Sequence, residues 1–591
     1  MKLQVSRLDW FLNQSTNFSV LLVTVFGIAA MLPVYFWGMP AGADFDNHYR
    51  FALPFYDEII NGNYAPGWLN ESNEGFGDAR FRFYPPNLYY LLCLFRFLTG
   101  NWYAATLVVF TLFSVIGALG VYFWTRRTLS DQTAIFAALI FTVIPYHLTE
   151  FYQASLLAEY AATALLPFVF MFVERLMANS DEPKNFSNKL FAVTGLAAVY
   201  ALIITTHLPT TVISSFSLCL YALFLTDWKT NKKALLFCAS GIALGLILSS
   251  WYSVKMLSEL EWIQAGIKVS STYYDYRNNF VFSPFSLNNL NTWYGSLLAA
   301  LTVAIFLPAL FVMRQVFAKR LNDADKSVVS KYFAAEQKDF RCKKRLAATL
   351  TVALISFLMT TDLSRPLWSI VPKLKDVQFP YRWLAITSVL ICPMVALSLQ
   401  IWRERIKQKK IRPFHLPLLL IFGIALFVTA QDLVFDTVYL SRETFLQRIE
   451  EVRGGRSFND WLPRSASEIK DLSPLAGKVD AGGRQVSIIN WESHRRTFSV
   501  EAGEEGRARL RSYYYPLWQA FIIKDGGKIQ TATAQAADGT LLVEIPPDAV
   551  TVEIDFSEPP RTRFSFIIAL LGWTMTLSLL IISFYKKGFK V

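Results

Sequence analysis

The densest group of chemically active side chains lies in the nonapeptide GADFDNHYR, residues 42–50. Asp44, Asp46 and His48 fall within five positions, directly after the first long apolar run of the chain. Carboxylates and an imidazole at this spacing suit a general base with an orienting partner, or the ligands of a divalent metal ion. Because a carboxylate beside a low-dielectric region has a raised pKa, such a base would be poised near neutral pH.

Other ionisable side chains lie at the ends of apolar runs, on the side of the membrane predicted for residues 42–50. They are His147, Glu150, Glu159, His207 and Arg382. Ionisable groups in or against hydrocarbon are costly and are therefore candidates for function. Glu159 lies roughly two helical turns inside an apolar run, where a lone carboxylate needs a partner or a wet cavity. Their shared side predicts one polar cavity that faces outward.

Each of these residues also has an ordinary structural explanation. His147 and Glu150 suit interfacial positions, and Arg382 suits a side chain that extends its head to the membrane surface. His207 precedes Pro209 and suits a cap at the break between two helices. The residue types alone leave these alternatives open.

The composition predicts the elements that position these side chains. Of the 591 residues, 53% are hydrophobic and only 17% are charged, which is typical of a multi-pass membrane protein rather than a soluble enzyme. Apolar runs long enough to cross a hydrocarbon core of about 30 Å predict about twelve membrane spans. They lie near residues 18–37, 102–124, 132–146, 153–173, 190–206, 209–226, 234–254, 296–313, 346–360, 383–401, 415–431 and 564–585.

The loops on one side of these spans are strongly basic. Together with the N-terminal pair they hold about half of the Lys and Arg residues, so the net charge of +12 is mostly a positive-inside signal. This distribution argues against a nucleic-acid partner. It predicts cytoplasmic N and C termini, with the other loops periplasmic or extracellular. The large outer segments are then residues 38–101, 255–295, 361–382 and 432–563.

Two of the outer segments have recognisable structure in their sequence. In residues 38–101, HYRFALPFYDEII has the spacing of an amphipathic interfacial helix, and FRFYPPNLYYLLCLF returns to the membrane with many aromatic residues. Such a loop can roof a cavity at the outer leaflet. Residues 432–563 alternate apolar and polar positions between turn signals, which predicts a small antiparallel β domain. The predicted modules are residues 1–431, 432–563 and 564–591.

Several segments, in their order along the chain, resemble a known superfamily. They are Asp44-x-x-x-His48, FGDARFRFYPP, PYHLTEFYQASLLAEYAATALLPFVF, THLPT, VQFPYRWL and YYYPLWQAFIIKDGG. The pattern resembles the GT-C superfamily of integral membrane glycosyltransferases, and more closely the YfhO-like and pyruvoyl-tetrahydropterin-synthase-related multi-pass bacterial proteins. The sequence departs from the pattern at Gln153, where arginine is common, and at Leu517, where glycine is usual. The expected fold is a polytopic α-helical membrane protein, GT-C-like, with a small extracytoplasmic β-sandwich-like domain.

The resemblance implies transfer of a sugar from a polyprenyl-phosphate donor to a glycan, lipid or protein acceptor on the outer face of the membrane. Asp44 would be the general base of an inverting reaction. Asp46 or His48 would orient Asp44, or would bind a divalent metal ion, Mg or Mn, together with it. Arg382, and second to it Arg82, would contact the donor phosphate.

The remaining predicted substrate-binding residues are Tyr84, His147, Glu150, Glu159 and His207. Two other functions are compatible with the same cavity. A transporter or flippase of lipid-linked saccharide would need polar groups along the whole depth of the helical bundle, whereas the sequence concentrates them at the outer ends. A non-catalytic assembly subunit of a cell-envelope glycan pathway would tolerate Asp44→Asn.

Overall fold

The architecture is that of a computed structural model, which describes most of the 591 residues. The described residues are 16–178, 186–264, 273–285, 289–317, 340–408, 415–455, 461–464, 466, 475–524 and 526–586. Much of the predicted basic side lies outside them, including residues 1–15, 179–185, 318–339, 409–414 and 587–591.

The described chain is mostly helical up to residue 451, and one more helix follows the β strands near the C terminus. In chain order they are α1 (Thr16–Ala29), α2 (Leu32–Trp37), α3 (Phe45–Ile60), α4 (Asn87–Thr99), α5 (Trp102–Thr125), α6 (Asp131–Thr142), α7 (Pro145–Tyr152), α8 (Leu157–Ala178), α9 (Phe186–Ile204), α10 (Leu208–Leu225), α11 (Ala234–Leu248), α12 (Ser250–Glu259), α13 (Leu290–Phe317), α14 (Phe340–Leu358), α15 (Arg365–Ile370), α16 (Leu384–Lys407), α17 (His415–Ala430), α18 (Arg442–Glu451) and α19 (Pro560–Lys586).

The number of membrane spans differs from the prediction of about twelve. Among the described residues, eight helices are long and apolar enough to cross a membrane, and ten spans result if two bent helix pairs each count as one. The predicted first span is divided into the short helices α1 and α2, with Pro33 in the first turn of α2. The predicted ninth span, α14, begins with Arg341, Lys343, Lys344 and Arg345, which leave too short an apolar stretch.

Breaks between helices place polar residues at the ends of the bundle. The pair α6 and α7 bends by 41° at Val143 and Ile144, and α7 begins with Pro145, whose missing N–H is tolerated in a first helical turn. His207 lies between α9 and α10 at a similar break, just before Pro209. These two breaks set His147 and His207 at helix starts, where the sequence placed them.

The segment that joins α2 to α5 contains the predicted amphipathic helix. This helix, α3, buries an apolar face that includes Phe51, Leu53 and Phe55, and it packs against α4 and α18. The chain then turns at residues 61–79, and α4 follows directly after Pro85 and Pro86. The helix is therefore covered by protein on its apolar side.

The C-terminal region folds into two antiparallel sheets, as the alternation of apolar residues predicts. One sheet has the order β3-β6-β10-β9 and the other β4-β5-β11-β7-β8. Two short strands elsewhere, β1 (Met39–Pro40) and β2 (Tyr439–Leu440), pair with each other. The strands of the two sheets are β3 (Val479–Asp480), β4 (Val486–Trp491), β5 (Arg495–Val500), β6 (Gly506–Tyr513), β7 (Trp518–Lys524), β8 (Gly527–Thr531), β9 (Thr533–Gln535), β10 (Thr540–Ile545) and β11 (Val550–Phe556).

The core of this β domain includes residues from the loop between α3 and α4. Trp68, Phe76 and Phe83 belong to the same buried cluster as Tyr515 and Trp518. The rings of Trp68 and Trp518 lie 5.5 Å apart, and the backbone N–H of Tyr513 donates to the carbonyl of Phe76 at 2.9 Å. Because burial of large aromatic side chains dominates core energetics, the β domain and this loop form one folding unit.

Candidate active site

A buried ion pair joins α8 to the segment before α16. Arg382 Nε lies 3.1 Å from Glu159 Oε2, and Arg382 Nη1 donates to the carbonyl of Val377 at 2.8 Å. The guanidinium carbon also lies 5.0 Å from the centroid of the Phe379 ring, a cation–π distance. Arg382 is 9% exposed and Glu159 is 1% exposed, so neither charge is balanced by bulk water.

Glu159 has two further neighbours, both from segments flagged by the sequence. Tyr146 donates its hydroxyl to Glu159 Oε1 at 2.6 Å, and His207 Nε2 lies 4.0 Å from Glu159 Oε2. His207 Nδ1 is hydrogen-bonded to Thr210 Oγ1 at 2.8 Å, inside the first turn of α10. Glu159 is therefore the centre of a small network, as a carboxylate buried inside a membrane helix requires.

Asp44 stands just before α3 and is only partly buried. Its N–H donates to the carbonyl of Ala154 at 3.0 Å, and its Oδ1 accepts from Asn47 Nδ2 at 3.3 Å. Burial raises the pKa of Asp44, while the Arg382 guanidinium and the Asn47 hydrogen bond lower it. The structure thus brings Asp44 within electrostatic range of Arg382, although the two residues lie far apart in the sequence.

Tyr84 completes this group on the side of the first outer loop. Burial and the neighbouring Asp44 carboxylate raise the pKa of Tyr84, whose phenol is also within electrostatic range of Arg382. Its ring packs edge-on against Tyr89, with centroids 5.9 Å apart. We define the candidate site as Asp44, Tyr84, Glu159, His207 and Arg382.

His48 lies one helical turn after Asp44, and both of its ring nitrogens are hydrogen-bonded. The N–H of Leu157 donates to His48 Nε2 at 3.2 Å, so the proton lies on Nδ1, which is 2.8 Å from the Tyr89 hydroxyl. Burial lowers the pKa of His48 to about 3, so the ring is neutral. His48 therefore anchors α3 to α8, and the prediction that it orients or assists Asp44 chemically does not fit this geometry.

Asp46 is directed to a different neighbour. Its carboxylate forms a two-pronged salt bridge with Arg448 of α18, at 3.0 Å to Nε and 2.7 Å to Nη2. Residues two positions apart on a helix point in different directions, so the side chain of Asp46 is separated from that of Asp44.

The predicted metal ligands are consequently not assembled. His48 uses both nitrogens within the protein, and Asp46 is paired with a cation. Across the part of the chain that the structure describes, no group of three His, Cys, Asp or Glu side chains is placed to hold a metal ion. The ligand set Asp44, Asp46 and His48 does not fit a metal centre.

Arg82 lies in a second buried cluster. Its guanidinium donates to both carboxylate oxygens of Glu259 and to both of Glu558, with Nη2 distances of 2.7 and 2.9 Å. Tyr515 of the β domain donates to Glu259 Oε2 at 2.7 Å. Because both carboxylates fill its donor fork, Arg82 joins the loop, α12 and the start of α19, and the prediction of a phosphate contact does not fit.

His147 and Glu150 also pair with each other. His147 Nδ1 lies 3.1 Å from Glu150 Oε2, and Glu150 Oε1 accepts from Thr163 Oγ1 at 2.6 Å. The His147 ring stacks on Tyr160 with centroids 4.4 Å apart. Both side chains are buried within the protein, where each is hydrogen-bonded to the other, and their predicted contact with a substrate stays a prediction.

A family model now identifies the chain. The model described as 6-pyruvoyl-tetrahydropterin synthase related domain, membrane protein, matches residues 81–440. The chain belongs to this family. The match contains Tyr84, Glu159, His207 and Arg382 of the candidate site, whereas Asp44 and the β domain lie outside it. The family name refers to pterin chemistry, for which the site offers no specific counterpart.

Solved structures of GT-C glycosyltransferases are similar to this membrane protein at low identity. ArnT from Cupriavidus metallidurans, bound to undecaprenyl phosphate, has 14% identity and a TM-score of 0.42, covering 75% of this chain and 75% of its own. Arabinofuranosyltransferase AftD from Mycobacteria has 14% identity and a TM-score of 0.41. The match covers 70% of this chain and 26% of the AftD chain. The apo oligosaccharyltransferase of Archaeoglobus fulgidus has 11% identity and a TM-score of 0.37, with 74% and 56% covered. No curated protein shows a significant sequence match.

The two departures from the GT-C pattern have structural counterparts in this family member. Gln153, in place of the common arginine, donates to the carbonyl of Asp432 at 2.6 Å and to Thr437 Oγ1 at 3.0 Å. Leu517 is buried in the core of the β domain. Gln153 is thus a tie between α7 and the segment after α17.

Sequence reasoning missed two residues that contact the candidate site. Tyr146 adjoins His147 in a quoted motif, so a closer reading of that motif would have found it. Asn47, the hydrogen-bond partner of Asp44, carries no signal beyond its position three residues later on the same helical face.

Proposed function

We propose that this protein is a membrane glycosyltransferase that transfers a sugar from a polyprenyl-phosphate donor to an acceptor hydroxyl, with inversion at the anomeric carbon. One observation carries the proposal. A partly exposed carboxylate, Asp44, lies within electrostatic range of a buried guanidinium, Arg382. This pairing supplies a proton acceptor and a phosphate-binding cation in one site, and it agrees with the GT-C resemblance of the sequence.

The reaction assigns a separate role to each charge. Asp44 removes the proton from the acceptor hydroxyl as the oxygen attacks the anomeric carbon. The bond from that carbon to the phosphate oxygen breaks, and the electron pair leaves on the lipid phosphate. Arg382 stabilises the charge that develops on this phosphate, the kind of electrostatic contribution that a site shielded from water makes strong.

The remaining residues of the candidate site support these two. Glu159 holds the Arg382 guanidinium in place through the 3.1 Å ion pair, and Tyr146 fixes the Glu159 carboxylate. Tyr84 and His207 border Arg382 and Glu159 and are suited to hydrogen-bond sugar or phosphate oxygens of the donor. The raised pKa of Asp44 favours its action as a base, because a stronger base takes a hydroxyl proton more readily.

We further propose that the site faces the periplasm or cell exterior of a bacterial inner membrane. The basic segments lie on the opposite side from the β domain in the positive-inside arrangement. The acceptor is then a glycan, lipid or protein of the cell envelope. The β domain, which shares its core with the first outer loop, braces that loop over the site.

Asp44→Asn tests the proposal. The purified chain in proteoliposomes is supplied with a panel of polyprenyl-phosphate hexose and pentose donors and membrane extracts as acceptors. We expect the variant to lose about 10³-fold in transfer rate, the middle of the range for removal of a general base.

The matched control is Asp57→Asn on the same helix, whose carboxylate pairs with Arg453 away from the site. It should transfer at the wild-type rate. Full activity of Asp44→Asn, or no transfer by the wild type from any donor of the panel, would contradict the proposal.

A further inference from the structure

A cleft of about 500 Å³ opens between the start of α3 and helix α18. One wall is the segment from Ala41 to Asp46, without Asp44, and the other runs from Leu440 to Glu451. Its volume falls within the range of about 300–1,000 Å³ that is usual for small-molecule sites. The candidate site described above does not include this cleft.

The base of the cleft is fixed by backbone contacts. Strands β1 and β2 pair Met39 with Leu440, and the N–H of Ala41 donates to the carbonyl of Val438 at 3.0 Å. A Cβ at Gly42 would lie 2.3 Å from the carbonyl oxygen of Gln153, so the wall packs closely against the end of α7. The two walls are therefore held at a set separation before any ligand enters, which reduces the entropic cost of binding.

Five of the ten residues that line the cleft have polar side chains, four of which are linked by hydrogen bonds and ion pairs, and Phe45 and Leu440 add apolar surface. Arg448 holds the Asp46 carboxylate through two hydrogen bonds, at 3.0 and 2.7 Å, and its Nη1 lies 3.8 Å from Glu451. Gln447 donates to Glu451 Oε1 at 3.0 Å, and Thr444 lines the same cleft. Carboxylate, amide, guanidinium and hydroxyl groups offer donors and acceptors side by side, which suits vicinal hydroxyl groups that both donate and accept.

The charge of the cleft selects among ligands. Two carboxylates, Asp46 and Glu451, face one guanidinium, so the lining carries an excess of negative charge. Phosphates and uronic acids are repelled by this excess, and a hydrocarbon tail would remove the two carboxylates and the guanidinium from water at a cost in free energy. Neutral sugars and amino sugars satisfy both conditions.

The position of the cleft relates it to the candidate base. Ala43 and Phe45 line it, whereas Asp44 between them does not, and its carboxylate accepts a hydrogen bond from Asn47 and lies within electrostatic range of Arg382. We propose that this cleft binds neutral or amino-bearing saccharide units of the acceptor, at a distance from the hydroxyl that reacts. This assignment of a carbohydrate acceptor rests on the proposed transferase function.

Direct binding measurements test the assignment. The full chain in lipid nanodiscs is titrated with di-N-acetylchitobiose, chitosan disaccharide, maltose and digalacturonic acid, with saturation-transfer NMR as the readout. We expect binding of at least one neutral or amino disaccharide, and binding of digalacturonic acid that is weaker by about tenfold or more because of the negative lining.

Two variants locate the binding. Arg448→Ala should weaken disaccharide binding about tenfold, since it removes one charged hydrogen-bonding group and the order it imposes on Asp46. Arg453→Ala, which removes an exposed arginine of the adjoining turn outside the cleft, should bind like the wild type. Because both ion pairs are exposed, neither change endangers the fold. Equal binding by Arg448→Ala and the wild type, or no binding of any neutral or amino disaccharide, would overturn the assignment.

Asp44→Asn separates this inference from the proposed function. The variant should bind the disaccharides as the wild type does, while it loses transfer. Saccharide binding that depends on Arg448, in a protein that transfers no sugar, would refute the transferase and with it the acceptor role of the cleft. Transfer without such binding would refute the cleft alone.

Discussion

Arg82 and Arg382 are two arginines buried beside carboxylates in the same protein, and their surroundings differ in how far the guanidinium is satisfied. Arg82 meets both oxygens of Glu259 and of Glu558, and Tyr515 closes the cluster. Arg382 meets one oxygen of Glu159 and one backbone carbonyl. A filled donor fork fixes structure, whereas Arg382 has only one carboxylate beside it, which is why the proposed phosphate contact is assigned to Arg382 and not to Arg82.

The largest expected effect is on the stability of the filled cluster. Arg82→Met leaves the buried Glu259 carboxylate with only the more distant Arg561, at 3.8 Å, as a cation, and breaking a buried pair in this way costs about 3–5 kcal/mol. We expect a large fall in the thermal unfolding temperature in detergent, with loss of properly inserted protein. The unfolding temperature of Arg82→Lys should be lowered nearly as much, because an ammonium group cannot bind two carboxylates in the geometry of the guanidinium fork. A wild-type unfolding temperature in both variants would refute the structural role.

The second expected effect separates activity from stability at the other arginine. Arg382→Lys keeps a positive charge near Glu159 but loses the planar fork, so we expect transfer to fall about 10²- to 10³-fold. The unfolding temperature should change far less than in Arg82→Lys, since Arg382 is paired with one carboxylate and Arg82 with two. If Arg382→Lys unfolds as early as Arg82→Lys while its remaining folded fraction is fully active, the two clusters have the same role.

The third expected effect concerns pH. Burial raises the pKa of Asp44, and Arg382 partly offsets this rise. Because a base must be deprotonated, kcat/KM for transfer should decrease as pH falls through the pKa of Asp44, which lies above that of an ordinary aspartate. In Arg382→Gln the offset is lost, so the midpoint measured on the residual activity should move to higher pH. A midpoint that stays in place or moves lower would show that Arg382 does not act on the base.

The smallest expected effect comes from an exposed arginine as a reference. Arg453 pairs with Asp57 and Glu450 at the surface. Exposed pairs of this kind contribute about 0–1 kcal/mol, so Arg453→Ala should leave both the unfolding temperature and the transfer rate nearly unchanged. A loss comparable to that of Arg82→Met would mean that exposure does not distinguish these arginines.

The sequence alone predicted much of the architecture. Apolar length predicted the membrane helices, and alternation of apolar residues predicted the β domain, because both patterns are local consequences of backbone geometry. The number of spans was overestimated, since local hydrophobicity does not reveal that Pro33 divides the first run or that four cations begin α14.

The candidate site was only partly predictable. Glu159, Arg382 and Asp44 were selected because charges at the ends of membrane helices are costly, and the structure brings these three together. His48 met the same criterion and Arg82 was selected from the resemblance, yet their partners, Tyr89 with Leu157 and Glu259 with Glu558, come from distant parts of the chain. Which charges are paired depends on contacts between elements that no local pattern encodes.

The sequence by itself therefore determined a helical membrane protein with a β domain and a set of charges near the helix ends. Only the tertiary structure decided which arginine is satisfied, which histidine is neutral, and that Asp46 lines a cleft with Arg448. The physical reason is the same in each case. The state of a buried charge is set by its neighbours within a few ångströms, and those neighbours come from elements that are brought together only when the chain folds.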